Sequence, residues 1–467
     1  TQKAVLLSLA MLGCVDSLRA AMSDRMIQGL KPSVVNIEGK IAVGLQADES
    51  TSWSGTGFVL DAKKGLIATN SHVSGKSPAQ YTIVFYNGEK TSKVRLKYYD
   101  SWHDFAILQV DTATLGFPLQ EVRLGDSRSL KEQSEIVLIG NNEALRYTVL
   151  YGKVTDTEVD AGDRHSASFN VVYGNRGGSS GSPLFDSSGK VAGIHYQGTD
   201  STGTGLRIEY VKDALRQIQS GSLPKRGDIG CLLRLIMISD AQRNFHLPAN
   251  YAAEARVFRG RATKMIAIAT TIPLSPADGI LEPGDLVLAV DGIPAGNDLY
   301  TFDKMVDAAI GRTVRLKIVR NGLEKELGIK VAAVQATKVR RFALFAGGIF
   351  HDITTELRRK FNIASSGVYM NQIEEGSTMA ALGSKFDNKP KQRVVIVQAI
   401  NGNATPDLAS FIRHSRDLQD GQDIYLTYAD FNSIYSTPRA MAFTLDLKYF
   451  PLKIFSFSEK DSSWSAE

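Results

Sequence analysis

The sequence predicts a mainly β chain: a strand-rich region from Val34 to Ile218, then two smaller α+β units. Three observations lead there. Short runs such as Gly57–Leu60, Tyr81–Tyr86 and Ile136–Ile139 are separated by Gly, Asn, Asp and Ser, the punctuation of strands and turns. The first sustained helical period comes at Tyr210–Ile218, where Val211, Leu215 and Ile218 share one face. One pattern then occurs twice. Leu286–Val290 is followed by Asp291-Gly292 and the helix positions Leu299, Phe302, Met305 and Val306; Val394–Ile400 is followed by Asn401-Gly402 and Leu408, Phe411 and Ile412. Strand, tight turn and amphipathic helix at matching spacing make a two-copy domain repeat. Between these elements, Asn87-Gly88 reads as a hairpin turn and Gly221–Gly227 as a linker. Tyr449–Phe457 is an apolar-aromatic tail with no assigned use.

Length and composition bound the possibilities. A chain of 467 residues is too long for one core and suggests about three domains. The net charge of +5 is small for that length and no Lys/Arg run stands out, so nucleic acid is not an expected partner. The two cysteines, Cys14 and Cys231, lie in unrelated contexts and fit no metal-ligand spacing. Ala4–Gly13, after Lys3 and before Ala20-Ala21, reads as the apolar part of a secretory signal and is too short to span a bilayer. A buried or amphipathic helix is the alternative there, and Cys14 raises the question of lipidation.

The stretch Gly177-Gly178-Ser179-Ser180-Gly181-Ser182-Pro183-Leu184 suits neither a helix interior nor a plain strand. Small residues let the backbone turn sharply, so two N–H groups can converge beside a serine oxygen. That is the local geometry of a nucleophile, Ser180, with an oxyanion hole from the backbone of Gly178 and Ser180. Upstream, Thr69-Asn70-Ser71-His72-Val73 offers a base in His72, and His103-Asp104-Phe105 an orienting carboxylate in Asp104. A serine hydroxyl needs a base to take its proton, and the base needs a carboxylate to hold its tautomer. The chain order His, Asp, Ser is that of chymotrypsin-like double β-barrels, not of subtilisins or α/β-hydrolases. The plain alternatives are a turn serine and a half-buried core histidine, but none of the other histidines among the seven shares this setting.

Lys31–Ile37, Gly55–Val59, Thr69–Val73, Asp104–Leu108 and Gly178–Leu184 occur in this order, with Leu281-Glu282-Pro283-Gly284-Asp285-Leu286-Val287-Leu288 downstream. On these motifs the chain resembles the HtrA/Deg family of PDZ-containing serine proteases, over residues 30–335 and more weakly over 340–445. The resemblance implies a mainly β fold: a chymotrypsin-like double β-barrel protease followed by two PDZ-like α+β domains, the second degenerate. The implied boundaries are 1–22 for an export segment, 23–222 for the protease, 226–335 and 340–448 for the PDZ-like units, and 449–467 for the tail. The nucleophile loop departs from the usual family pattern. Ser179 stands where most members carry Asn, and Gly181-Ser182 where they carry two glycines. With Phe345–Phe350, this variant looks more like the large Deg members.

The strand with Ile194, His195 and Tyr196 is expected to pair with the substrate backbone and line the first specificity pocket. No acidic residue marks that pocket, so cleavage after a small or medium apolar residue is expected. Ile229-Gly230-Cys231-Leu232 looks like a carboxylate-binding loop whose N–H groups receive a peptide C-terminus while the next strand accepts the peptide. Arg226 either assists it or lies in solvent. In the second copy Ala346–Phe350 is the matching loop; Pro390-Lys391-Gln392-Arg393 replaces the Pro-Gly-Asp turn there, which favours a packing role. His103 is expected at the surface or as a support, and Arg176 beside the loop or in solvent. The resemblance implies degradation of unfolded or misfolded polypeptides in quality control, without metal, nucleotide or other cofactor. It also implies exported, periplasmic trimers or multiples of trimers. The rival reading is a chaperone-like or adaptor protein with a latent protease site.

Overall fold

The computed structural model describes residues 22–41, 43–46, 52–142, 145–160, 162, 166–173, 179–258, 263–334, 338–383, 394–431, 438–458 and 463–467. The expected export segment with Cys14, apart from the buried Met22, the loop residues Arg176, Gly177 and Gly178, and Pro390–Arg393 lie outside these residues. Helix α1 (Asp24–Leu30) is capped by Ser23, whose side chain accepts the Met26 N–H. Seven strands follow: β1 (Val34–Ile41), β2 (Ser52–Asp61), β3 (Leu66–Thr69), β4 (Ala79–Val84), β5 (Lys90–Thr91), β6 (Val94–Asp100) and β7 (Phe105–Val110). They pair antiparallel in the order β5-β4-β1-β2-β3-β7-β6, and a one-turn helix, α2 (Ser71–Ser74), leaves the end of β3. Alternation along β1 and β2 sends Val35, Ile37 and Val59 into one buried cluster with Ile67 and Leu108.

The next six strands close into a barrel in the order β10-β13-β12-β11-β8-β9. They are β8 (Glu135–Asn142), β9 (Leu145–Val159), β10 (Ser168–Val172), β11 (Pro183–Asp186), β12 (Val191–Gly198) and β13 (Thr202–Arg207). Helix α3 (Ile208–Gln219) closes this region and buries Val211, Leu215 and Ile218, as its period predicts.

The first α+β unit contains β14 (Gly227–Asp228), β15 (Cys231–Met237), α4 (Ile238–Asn244), α5 (Ala249–Phe258), β16 (Lys264–Thr271), β17 (Leu286–Val290), β18 (Ile293–Pro294), α6 (Leu299–Asp307), β19 (Thr313–Arg320), β20 (Leu323–Lys330) and β21 (Ala332–Ala333). Its main sheet runs β15-β16-β17-β19-β20, which leaves β15 at an edge. The second unit repeats the plan with β22 (Arg341–Phe345), β23 (Gly348–Asp352), α7 (Thr355–Phe361), β24 (Val368–Ile373), α8 (Thr378–Gly383), β25 (Val395–Ile400), β26 (Asn403–Ala404), α9 (Leu408–Ser415), β27 (Asp423–Asp430) and β28 (Arg439–Thr444). The repeat seen in the sequence recurs in the backbone. Asp291-Gly292 turns at φ 49° and 80°, and Asn401-Gly402 at 48° and 79°. Two successive positive φ values are what an Asp-Gly or Asn-Gly hairpin turn supplies.

Two expectations about boundaries change. Gly221–Gly227 is not a free linker, because its end is packed between domains. A Cβ on Gly227 would lie 2.5 Å from the Val306 carbonyl oxygen, and the Gly227 N–H donates to Asp307 Oδ1 at 2.8 Å. One contiguous core runs from Tyr210, Val211 and Ala214 of α3 to Phe302 and Val306 of α6. The tail also belongs to a domain. Strands β29 (Lys453–Ser458) and β30 (Ser463–Ala466) form a hairpin that extends the second sheet through β22, with Phe455 stacked on Phe342. Burying the aromatic side chains outweighs leaving them in water.

The second unit also leans on the protease. Leu45 packs with Phe342 and Ile349. The Gln46 N–H donates to His351 Nε2 at 3.0 Å, and burial lowers His351 to about 4, which keeps that nitrogen an acceptor. Within this unit β22 pairs with β23, and Phe345 meets Phe411 of α9 edge-on. The chain's own strand therefore fills the side of β23 beside α9.

Candidate active site

Asp104 is the most constrained of the three expected catalytic residues. It sits in a turn between β6 and β7 at φ 53°, left-handed for a residue with a side chain, and is 2% exposed. Its Oδ2 meets His72 Nδ1 at 2.7 Å, and its Oδ1 accepts the His72 N–H at 3.0 Å and the Ser71 hydroxyl at 2.7 Å. Asn70 Nδ2 donates to the Asp104 carbonyl at 2.8 Å. These contacts explain the Thr-Asn-Ser-His pattern: Asn70 holds the Asp104 backbone, Ser71 holds its carboxylate, and α2 turns His72 onto it. The His72 side chain stays 38% exposed, so its far edge is open. A carboxylate on Nδ1 fixes the tautomer that leaves Nε2 free to accept a proton.

Ser180 lies on a pinned loop and is half-buried. Its carbonyl accepts the Thr56 N–H at 2.9 Å, the Gly181 N–H donates to the His195 carbonyl at 2.9 Å, and the Ser182 N–H returns to the Ser179 carbonyl at 3.0 Å. Gly181 turns at φ 86°, where a Cβ would lie 2.0 Å from the Thr56 carbonyl oxygen. No larger residue fits there. The Ser182 side chain is buried with its hydroxyl unpartnered. A Cβ on Gly140 would fall 1.9 Å from that oxygen, so the small residue on β8 makes room for the extra hydroxyl. Of the two expected oxyanion donors, Ser180 lies on this loop and Gly178 falls outside the described residues.

The substrate strand shifts from its expected place. Ile194 is paired with Pro183, while the His195 N–H donates to the Ser182 carbonyl and its carbonyl accepts Gly181. Both backbone groups of His195 are thus used on the Ser180 side. Among the described residues, β12 pairs only with β13 from Gln197 to Gly198, which leaves Tyr196–Gly198 as its open edge there. The side chains of Ile194, His195 and Tyr196 are all buried. His195 Nδ1 lies 2.7 Å from the Tyr173 hydroxyl. Burial, and then the nearby His72, lower His195 to about 3, so it stays neutral. Tyr173 is 4% exposed and packs where a Cβ on Gly203 would meet its hydroxyl at 2.3 Å. The sequence pointed to His195 but not to Tyr173. The signal was there in Gly152 and Gly203, whose missing side chains leave room for the ring.

The expected carboxylate-binding loop is already occupied from within. Ile229 and Cys231 are buried, and Leu232 packs beside Trp102, Ile272 and Val334. The Gly230 N–H donates to Asp228 Oδ1 at 2.6 Å, and the Gly230 carbonyl accepts the Ser275 hydroxyl and the Ile272 N–H, each at 2.8 Å. An anionic peptide terminus would have to share this loop with Asp228, which burial raises to about 6. On the edge of β15 the Leu235 N–H donates to Asp160 Oδ2 of the protease at 2.8 Å. Arg226 neither assists this loop nor lies in solvent. It is 1% exposed and donates to Asp100 Oδ2 and Asp307 Oδ2, each at 2.8 Å. His103 is not a surface residue either, since it is 3% exposed between the protease and α6.

Comparison with known proteins places these features. The family described as trypsin-like peptidase domain matches residues 55–194, which contain His72, Asp104 and Ser180. The family described as PDZ-like domain matches residues 336–421, the copy read from the sequence as degenerate. The pro-apoptotic serine protease nma111 of Aspergillus niger is 30% identical over 422 residues, 88% of this chain and 40% of that protein. NMA111 of Chaetomium globosum is 28% identical over the same shares. This chain therefore spans well under half the length of these relatives. Among solved structures, an HtrA-type protease, AlgW, with a tripeptide is 21% identical, with a TM-score of 0.48 over 66% of this chain and 96% of its own. From its trypsin-like and PDZ-like domains and these relatives, the chain belongs to the HtrA/Deg family of PDZ-containing serine proteases.

Proposed function

We propose that this chain is a serine endopeptidase that degrades unfolded polypeptides. The observation that carries the reading is the His72–Asp104 pair at 2.7 Å, set in the same domain as the constrained Ser180 loop. Ser180 would attack the peptide carbonyl as His72 Nε2 takes its proton. Asp104 stabilises the imidazolium, and His72 then protonates the leaving amine. Water would hydrolyse the acyl-enzyme by the same route in reverse. An unfolded segment can lie along the open edge Tyr196–Gly198, whereas a folded domain does not offer a free strand. Tyr173 and His195 fill the space behind that edge, which favours a small residue at the cleaved position. Capture of a peptide terminus at Ile229–Leu232 would require the loop to release Asp228 and β15 to leave Asp160. Assembly into trimers and a setting in protein quality control and export are part of the same proposal.

A fluorophosphonate probe tests the enzyme reading. Wild type should label at Ser180 and degrade casein, and Ser180→Ala should do neither. An unlabelled wild type, with unfolded substrate present, would favour the adaptor reading instead.

A further inference from the structure

The turn that carries the catalytic carboxylate is anchored in the neighbouring PDZ-like unit. Asp104 holds a left-handed conformation at φ 53°, which a residue with a side chain avoids unless its surroundings impose it. Asp100, at the end of β6, provides part of the restraint: its Oδ1 accepts the N–H groups of Trp102 at 3.1 Å and His103 at 3.0 Å. The His103 ring provides another part. Its Nδ1 lies 3.1 Å from Asp100 Oδ2, and its Nε2 lies 3.2 Å from Asp303 Oδ2 of α6. The ring stacks on Tyr210 of α3 at 4.1 Å, and the Tyr210 hydroxyl donates to the same Asp303 oxygen at 2.6 Å.

Carboxylates on both ring nitrogens call for the doubly protonated imidazolium. Burial opposes that charge, but Asp100 and then Asp303 raise His103 to about 9. The groups that face it are Asp100 from β6, Asp303 from α6 and Tyr210 from α3, with Arg226 and Asp307 completing the buried network. Trp102, the other large residue of the turn, packs against Ile272 and Val334 of the PDZ-like unit. The residues immediately before Asp104 are therefore held partly from outside the protease domain.

We propose that Asp303 is a positioning residue for the protease: through His103 it holds the Ser101–Asp104 turn, and so keeps the Asp104 carboxylate on His72. The proposal rests on the serine-protease reading above. Asp303 touches no reacting atom, and its effect is transmitted along the backbone from His103 to Asp104. Undocking of the PDZ-like unit would release the carboxylate before it disturbed the serine loop.

The test uses the full chain with Asp303→Asn. Tyr300→Phe serves as the control, because Tyr300 sits on the same helix and crosses the same interface to Asp213 at 2.7 Å without touching the turn. For each protein, kcat and KM on a peptide substrate are measured per fluorophosphonate-titrated site, along with the acid limb of the kcat/KM profile. The downfield proton resonance of His72 Nδ1–H is recorded as well. Asp303→Asn should lower kcat at least tenfold at unchanged KM. It should also move the acid limb to lower pH, since a looser Asp104 stabilises the His72 imidazolium less, and shift the proton resonance upfield. Tyr300→Phe should change none of these. An Asp303→Asn enzyme within twofold of wild type, with the resonance in place, overturns the proposal. So does an equal loss in both variants with an unmoved acid limb, which would make the contact merely structural. An unlabelled wild type would sink the protease reading separately, and the His72 resonance alone would then decide the positioning claim.

Discussion

Raising the pH should loosen the contact between the protease and the first PDZ-like unit, and His103 sets the size of the effect. In an unfolded chain a histidine loses its proton near 6.5; here Asp100 and Asp303 overcome the burial penalty and hold the proton to about 9. Each pH unit of displacement is worth about 1.4 kcal/mol, so the bound proton stabilises the folded state by about 3 kcal/mol. A raised pKa gives stability that is complete below 6.5 and is lost as the pH rises through about 9. The assay is urea unfolding of the full chain across that window, for wild type and His103→Gln. Wild type should lose about 3 kcal/mol over the window. His103→Gln should start lower and lack that slope. Burial also raises the Cys231 thiol, but the effect is common to both proteins and cancels in the comparison. Parallel profiles for the two would refute the reasoning. His195 and His351 act in the opposite direction. Burial lowers them to about 3 and about 4, so their contribution is present above 6.5 and lost as the pH falls toward those values. Stability should therefore peak near neutrality.

Other consequences are open to simpler measurements. Gly181→Ala forces a Cβ to 2.0 Å from the Thr56 carbonyl at φ 86°, and should cost about 2–4 kcal/mol in thermal unfolding and abolish fluorophosphonate labelling. Retained labelling would mean that the loop tolerates a rearrangement the geometry does not allow. Ser182→Ala removes a buried hydroxyl without a partner and should leave stability equal or raise it by about 1 kcal/mol, where a clear loss in Tm would show that the hydroxyl is bonded. Arg226→Ala strands Asp100 and Asp307 in the interior and should cost about 3–5 kcal/mol in urea unfolding. An effect below about 1 kcal/mol would show that water reaches the site.

Much of the fold was legible because strand and helix periods are local. Val211, Leu215 and Ile218 could face the core only on a helix, and the Asp291-Gly292 and Asn401-Gly402 turns adopt the same backbone because both dipeptides tolerate positive φ. The His72–Asp104 pair was legible for a different reason. Its supporting residues, Asn70 and Ser71, are contiguous with His72, so one short motif carries the base and its restraints. The residues left open are those whose partners are remote in sequence. Arg226 could be read as a loop helper or a solvated linker charge, and is neither, because Asp100 is 126 residues away; His103 could be read as a surface residue or a support, and its partner Asp303, 200 residues away, makes it a support. Ile229–Leu232 has the composition of an anion-binding loop, yet an Asp228 two residues from Gly230 takes its N–H.

By itself, then, the sequence determined the class of chemistry, the two-barrel plan and the repeat, because each depends on spacing along a few contiguous residues. The tertiary structure alone decided how the units meet. It turned a linker arginine and a turn histidine into a buried ionic network, tied both backbone groups of His195 to the Ser180 loop, and gave the Gly230 N–H to Asp228. Buried charges find whichever opposite charge the packing brings near, and nothing in the local sequence records that choice.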